Sequence, residues 1–136
     1  MGVARIGVSL EPELLRELDR FTRERGYANR SQGLRNLIRA ALTARRWQAL
    51  ESRVLATVTV LYDHRAGGVT QRLLEKQHEY FHAIKSSMHV HLGREGCLEV
   101  LVAEGKAKVV GKLINELRGL KGVLRAEAVP VSPTLP

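Results

Sequence analysis

The sequence predicts an α+β protein made of two parts, a strand–helix–helix unit followed by a β-α-β-β-α-β unit. Three patterns predict it: a short polar–apolar alternation near the start, apolar residues at helical spacing after it, and β-rich runs that alternate with helical segments further on. Hydrophobic residues make up 44% of the 136 residues, which is enough for a core. We divide the chain into a first domain at 1–46, a linker at 47–53 and a second domain at 54–136.

The first domain has the elements of a ribbon-helix-helix fold. The segment Arg5–Leu10 alternates polar and apolar side chains, Pro12 suits the first turn of a helix, and Ser31 is expected to cap a second helix. A single short strand is unstable in water. We therefore expect two copies to pair these strands and to pack their helices together.

The same domain is rich in arginine. Residues 1–50 hold ten basic residues, all of them arginine, against five acidic ones, and the whole chain has a net charge of +8. Guanidinium groups suit phosphates and guanine edges. In a paired ribbon, Arg5, Gly7 and Ser9 point outward, and they match the base-contacting positions of the ribbon-helix-helix repressors that this segment resembles. Gly7 offers no side chain for base contact, so the operator sequence stays open.

Phosphate contacts are expected at the start of the second helix. The free backbone N–H groups of a helix N-terminus bind anions, and contacts of this kind position a protein on DNA without selecting a sequence. Arg30 and Ser31 are the predicted phosphate-binding residues. Ser31 could equally serve as an ordinary helix cap.

The second domain is predicted to be ferredoxin-like. Its predicted elements are, in chain order, a strand at Val54–Tyr62, a helix at about Val69–Ile84, strands at Met88–Leu92 and Cys97–Ala103, a helix at about Lys106–Leu120, a strand at Gly122–Val131 and a Pro-rich tail.

The strongest chemical signal is His89-Val90-His91 followed by Cys97. Alternation along a strand places His89 and His91 on one face, and Cys97 begins the next strand after a turn. Two imidazoles and a thiolate suit Ni(II), Cu(II) or Zn(II) rather than magnesium or calcium. Each feature alone is ordinary, since surface histidines and buried cysteines are common. Together they predict a transition-metal site.

Further histidines lie on and before the predicted middle helix. His78 and His82 are one helical turn apart and could share a metal, although packed or solvated histidines have the same spacing. His64 follows the first long strand and is interpreted as structural.

The histidine–cysteine spacing, the strand–helix–helix start and the helix that carries Gln77 and His78 resemble the nickel-responsive regulator family, NikR. The resemblance covers essentially the whole chain. It implies a second domain of the ACT type and a homotetramer, a dimer of dimers, with one Ni²⁺ per subunit at a subunit interface. The implied ligands are His89, His91 and Cys97 of one subunit and His78 of a neighbour. Gln77 and Glu99 match positions that hydrogen-bond around the site.

The resemblance also implies a function. The chain would be a repressor that binds a palindromic double-stranded DNA operator when nickel is bound, and nickel-uptake genes are the expected targets. Some family members bind a second cation through carboxylates, but the matching residues here, Gln32 and Asn36, are neutral. Copper and zinc remain alternatives, because affinity alone does not identify the metal.

Other classes of protein fit less well. An enzyme is not expected, because the protein would fill all four planar positions on the metal and no nucleophile–base pair stands beside them. A repressor whose second domain senses a small molecule would not need the histidine–cysteine set, and an antitoxin-like repressor would carry a disordered tail. No run approaches the roughly 18 to 20 apolar residues of a membrane span, and the start lacks the layout of a signal peptide. We expect a cytoplasmic protein with no membrane partner.

Overall fold

The computed structural model describes residues 2–131, so Met1 and the predicted Pro-rich tail lie outside the described residues. The chain divides into two compact units. The first runs up to Leu42 and the second begins at Thr43.

The first unit is helical. Helix α1 spans Pro12–Glu24, and helix α2 spans Arg30–Gln48 and continues into the second unit. Residues 2–11 have no regular secondary structure, so the predicted strand at Arg5–Leu10 is not confirmed in the single chain. A strand needs a hydrogen-bonded neighbour, and among residues 2–131 no segment pairs with this one. The ribbon therefore stays a prediction about two copies.

The cap of α2 differs from the prediction. The helix begins at Arg30, so Ser31 lies inside its first turn and is not the cap. Asn29 takes that place, because its side-chain oxygen accepts a hydrogen bond from the Gln32 N–H at 2.9 Å. The Gln32 side chain in turn accepts a hydrogen bond from the Ala28 N–H at 2.7 Å, as in a capping box displaced by one residue.

The second unit confirms the predicted β-α-β-β-α-β order. Its elements are β1 (Arg53–Asp63), α3 (Val69–Glu79), β2 (Ile84–Leu92), β3 (Gly96–Lys106), α4 (Ala107–Gly119) and β4 (Val123–Val131). The four strands form one antiparallel sheet in the order β2-β3-β1-β4.

Alternation along β1 builds the core of this unit. Every second residue from Val54 to Tyr62 is buried, and the same side of β3 contributes Leu101 and Ala103. Helix α4 adds an apolar stripe that includes Leu113 and Leu117, neither of which is exposed. Burying a leucine side chain stabilises the fold by about 1.5–3 kcal/mol. The second unit therefore closes a core within one chain.

The other face of the sheet is apolar as well. Its residues alternate with the core residues, and register places Met88 beside Val100 and Val129 beside Thr57. Met88 is 58% exposed and Val129 is 60% exposed. We call this surface the open sheet face, and its apolar members are Leu55, Leu61, Met88, Val90, Leu92, Leu98, Val100, Val102, Val129 and Val131.

Helix α3 is shorter than predicted. It ends at Glu79 rather than Ile84, and β2 begins at Ile84 rather than Met88. The reason is a non-local pairing, since Ile84 lies opposite Ala103 of β3 and the backbone is extended there. His82 therefore lies in the turn after α3, and His78 and His82 are not one turn apart on the same helix.

Among residues 2–131, no helix combines the length and the apolar character needed to cross a bilayer.

Candidate functional sites

The β2–β3 hairpin brings three potential metal ligands together. His91 lies directly opposite Cys97 across the two strands, and His89 lies two residues further along the same face of β2. The hairpin turn uses Gly93 at φ 73°, a conformation that favours glycine. The candidate ligand atoms of His89, His91 and Cys97 all lie within 4.8 Å of one another. The structure thus groups the three ligands whose spacing predicted a site.

The thiol and the two imidazoles differ in exposure. Cys97 is only 2% exposed and belongs to the core, whereas both histidines are exposed. The Cys97 Sγ lies 3.8 Å from His91 Nδ1, and the two imidazole rings meet edge to face with centroids 4.8 Å apart. The cluster therefore sits at the rim of the core, and its imidazole side faces outward.

The donors and their spacing fit a transition metal. Metal–nitrogen bonds of about 2 Å place opposite ligands about 4 Å apart, so a small inward rotation of the imidazoles brings the three donors to one ion. Imidazole and thiolate ligands suit nickel, copper or zinc better than a hard cation. Among the described residues, one chain supplies three such donors to this cluster.

Tyr62 lies beneath the cluster, and the sequence analysis missed it. Its hydroxyl lies 3.2 Å from His89 Nδ1 and 3.4 Å from His89 Nε2, and the side chain is 1% exposed. Tyr62 also pairs with Cys97 across β1 and β3. Burial, together with the neighbouring Cys97 and Glu99, raises the pKa of Tyr62 to about 12. The neutral phenol can therefore hydrogen-bond to the cluster and fix the orientation of the His89 ring.

Glu99 and Gln77 tie helix α3 to the sheet beside the cluster. Glu99 lies opposite His89 in the sheet and is only 8% exposed. Gln77 donates a hydrogen bond from Nε2 to the Glu99 Oε1 at 2.6 Å. This bond satisfies a buried carboxylate and fixes the start of the segment that carries His78. The two residues that were expected to surround the site are thus bonded to each other.

The remaining histidines lie elsewhere. His78 is exposed on α3 and is not grouped with the three ligands of its own chain in the part of the chain that the structure describes. His82 stacks on Phe81 with ring centroids 3.7 Å apart. His64 is exposed after β1, where its backbone N–H donates to the Glu95 carbonyl.

The predicted DNA-contacting residues are exposed. Arg5, Gly7 and Ser9 lie in the irregular N-terminal segment, and Ser31 is exposed at the start of α2. Arg30 makes a two-pronged contact with Asp19 of α1, at 2.7 and 2.9 Å, and the Arg30 hydrogen bond lowers the pKa of that carboxyl. A phosphate would therefore have to share Arg30 with Asp19.

The neutral residues Gln32 and Asn36 are engaged in the helix itself. The Gln32 oxygen accepts from Ala28, and the Asn36 Nδ2 donates to the Gln32 carbonyl at 2.9 Å. Neither residue supplies the negative charge that a hard cation prefers.

A ferredoxin-like domain with a histidine–cysteine cluster on its β2–β3 hairpin defines a class of metal-binding domain, and comparison with known proteins identifies the class. Residues 55–130 match the family model described as the NikR C-terminal nickel-binding domain. A nickel-responsive regulator of Pyrococcus furiosus is 43% identical over 95% of this chain and 94% of its own length. One of Geobacter metallireducens is 43% identical over 92% of this chain and 90% of its own length.

The chain belongs to the family of nickel-responsive regulators. These relatives are named as regulators and not as enzymes, in agreement with the expectation that the chain is not an enzyme. Among solved structures, an uncharacterised protein of Thermotoga maritima matches 58% of this chain and 98% of its own with a TM-score of 0.53. At 20% identity, that likeness supports the fold alone.

Proposed function

We propose that this protein is a nickel-dependent repressor that binds one Ni²⁺ per subunit. His89, His91 and Cys97 of one subunit and His78 of a neighbouring subunit supply the ligands. Nickel binding then promotes binding of the arginine-rich first domain to a palindromic operator. Control of nickel-uptake genes is the role we propose for it in the cell.

One observation carries the proposal. Three soft or borderline donors lie within 4.8 Å of one another on a hairpin, while the fourth implied ligand, His78, is exposed and is not grouped with them. A site with three ligands from one chain and an outward-facing imidazole side is suited to completion from outside. Square-planar nickel is stabilised by such a set of nitrogen and thiolate ligands.

The open sheet face supports an assembly of several subunits. Apolar side chains such as Met88 and Val129 are more than half exposed there in a single chain. An exposed apolar surface of this kind marks an interface more often than a solvated face. Packing of this face against a second copy is one of the contacts we propose for the tetramer.

The first unit (residues 2–42), which we call the arm, supports the DNA-binding part of the proposal. Ile6 and Val8 are 77% and 54% exposed, as expected for residues that a paired strand from a second copy would cover. An antiparallel ribbon formed in this way fits the major groove, with Arg5 and Ser9 on the outside. A site shared between subunits stabilises only those assemblies that complete it. Nickel binding at such a site therefore favours some arrangements of the arms over others.

The proposal is tested by selecting duplexes from a random-sequence pool with the full-length protein and Ni²⁺. We expect a palindromic sequence to be enriched, and its affinity to fall when nickel is chelated. Cys97→Ala should bind the same duplex equally weakly with and without nickel. Binding that ignores nickel, or a pool that yields no palindrome, would contradict the proposal.

A further inference from the structure

Two buried polar atoms without a hydrogen-bond partner line the same groove of the second unit. They are the indole nitrogen of Trp47, near the end of α2, and Oε2 of Glu116, on α4. The groove has a volume of about 590 Å³, with Trp47 and Leu50 on one side and a face of α4 on the other. An indole N–H is only a donor and a carboxylate is only an acceptor. The two groups are therefore complementary, and a buried indole N–H without an acceptor costs free energy.

Glu116 also has partners on α3. Its Oε2 lies 3.4 Å from Lys76 Nζ, an ion pair without hydrogen-bond geometry. The Tyr80 hydroxyl donates to the same carboxylate and, with the nearby lysines, lowers its pKa. Lys76 is shared as well, since its ammonium lies 3.0 Å from Glu79. The carboxylate is thus held from the α3 side by Tyr80 and Lys76.

These α3 residues flank the segment that carries the metal-site residues. Lys76 comes directly before Gln77 and His78, and Tyr80 caps the same helix end. Gln77 is bonded to Glu99 beside the histidine–cysteine cluster. A displacement of α3 that carries His78 to another subunit would therefore move Lys76 and Tyr80 relative to Glu116.

Trp47 lies on the helix that joins the arm to the second unit. It lies in the last turn of α2, the helix that begins in the first unit, and it packs against the core of the second unit. The following residues are bonded to the start of α4, through Leu50 with the Lys108 N–H and Ser52 with the Ala107 N–H. A hydrogen bond from Trp47 to α4 would fix the end of α2 more firmly.

We propose that Glu116 is a two-position relay between the metal site and α2. In one position it pairs with Lys76 and Tyr80, and in the other it accepts a hydrogen bond from the Trp47 indole. Completion of the nickel site by His78 draws Lys76 away and favours the second position, which fixes the last turn of α2. This inference rests on the proposed function, because it names how occupancy of that site reaches the arm.

Trp47 is the only tryptophan of the chain, so tryptophan emission reports on the surroundings of this one indole. The experiment follows tryptophan emission and thiolate–nickel absorption of the full-length protein in the same nickel titration. Emission of the unaltered protein should change in step with the absorption band. Glu116→Gln should keep the absorption band and the nickel stoichiometry. Its tryptophan emission should change only through direct quenching by the bound nickel. Asn115→Ala, which lines the same groove, is the matched control and should behave as the unaltered protein.

A second measurement compares the nickel effect on DNA affinity. Trp47→Phe keeps an aromatic ring and removes the N–H, and both it and Glu116→Gln should reduce the nickel-induced gain in affinity at least about fivefold, the lower end of typical coupling between sites. If the nickel-induced gain in DNA affinity is unchanged in both variants, the relay is overturned, whatever the result of the emission experiment. If the unaltered protein shows no thiolate–nickel band, the proposed function fails and the relay fails with it.

Discussion

The two units differ in where their apolar side chains are covered. In the second unit, Val58, Val60 and Leu113 are fully buried within one chain. In the described part of the first unit, Leu18 is the one large apolar side chain that is buried, whereas Ile6 is 77% and Ile38 is 47% exposed. The comparison shows that the chain closes the core of the second unit by itself but leaves apolar side chains of the first unit exposed, and we propose that a second copy covers them.

Length explains the difference. A unit of about 40 residues buries too little surface to be stable alone, so such units depend on oligomerisation or cross-links. Cys97 is the only cysteine and lies in the other unit, so the arm has no disulfide. The second unit is longer and has a four-stranded sheet with two helices, which is enough for a core of its own.

The largest effect should come from a charge placed in the core that two arms share. Ile6→Asp should lower DNA affinity at least about 100-fold, because pairing the strands would bury an unpaired carboxylate in each copy. The thiolate–nickel absorption band should be unchanged, since the cluster lies in the other unit. Ile6→Val is the matched control and should bind DNA nearly as the unaltered protein does. Full DNA affinity in Ile6→Asp would show that the arm core does not contain this side chain.

A smaller effect is expected from removing one hydroxyl beneath the histidine–cysteine cluster. Tyr62→Phe keeps the buried ring but loses the hydrogen bond to His89, and groups that orient metal ligands typically contribute about 10–100-fold in affinity. Competition with a nickel chelator should therefore show at least about tenfold weaker binding at the same stoichiometry. Tyr27→Phe, in the first unit, is the control and should leave nickel affinity as it was. Equal affinities for the two variants would remove Tyr62 from the site.

The smallest effect concerns the cap of α2. Asn29→Ala removes the side-chain acceptor at the helix start and should reduce the stability of the arm by about 1 kcal/mol. Ser31→Ala should change it by much less, because Ser31 lies within the first turn. Chemical unfolding of each full-length variant, followed by helical circular dichroism, distinguishes the two. A larger loss in Ser31→Ala than in Asn29→Ala would restore Ser31 as the cap.

Much of the second unit could be predicted from the sequence, because its patterns are local. The alternation along β1 and the apolar stripe of α4 are each visible within one segment. Assigning the segments one after another along the chain gives the β-α-β-β-α-β order. The three-ligand cluster was also accessible, since His89 and His91 share a strand and Cys97 follows a short turn.

What the sequence missed depends on pairing between distant segments. The end of α3 was misplaced because Ile84 is extended by its pairing with Ala103, and no glycine or proline marks the change. Tyr62 was overlooked because its contact with His89 joins β1 to β2, 27 residues apart. Its burial in alternation with Val58 and Val60 was visible, but the register that places it under the cluster was not. The predicted strand at Arg5–Leu10 is absent from the single chain, and we propose that it forms only when a second copy pairs with it.

The central claim is that the nickel site is shared between subunits, and a mixed assembly tests it most directly. His78→Ala and Cys97→Ala would each be purified alone and also co-expressed as mixed assemblies. Each variant alone should lack the thiolate–nickel absorption band of the unaltered protein. The mixed assemblies should regain part of it, because His78 from one subunit can complete His89, His91 and Cys97 of another. A normal band in His78→Ala alone, or no band in the mixed assemblies, would contradict a shared site.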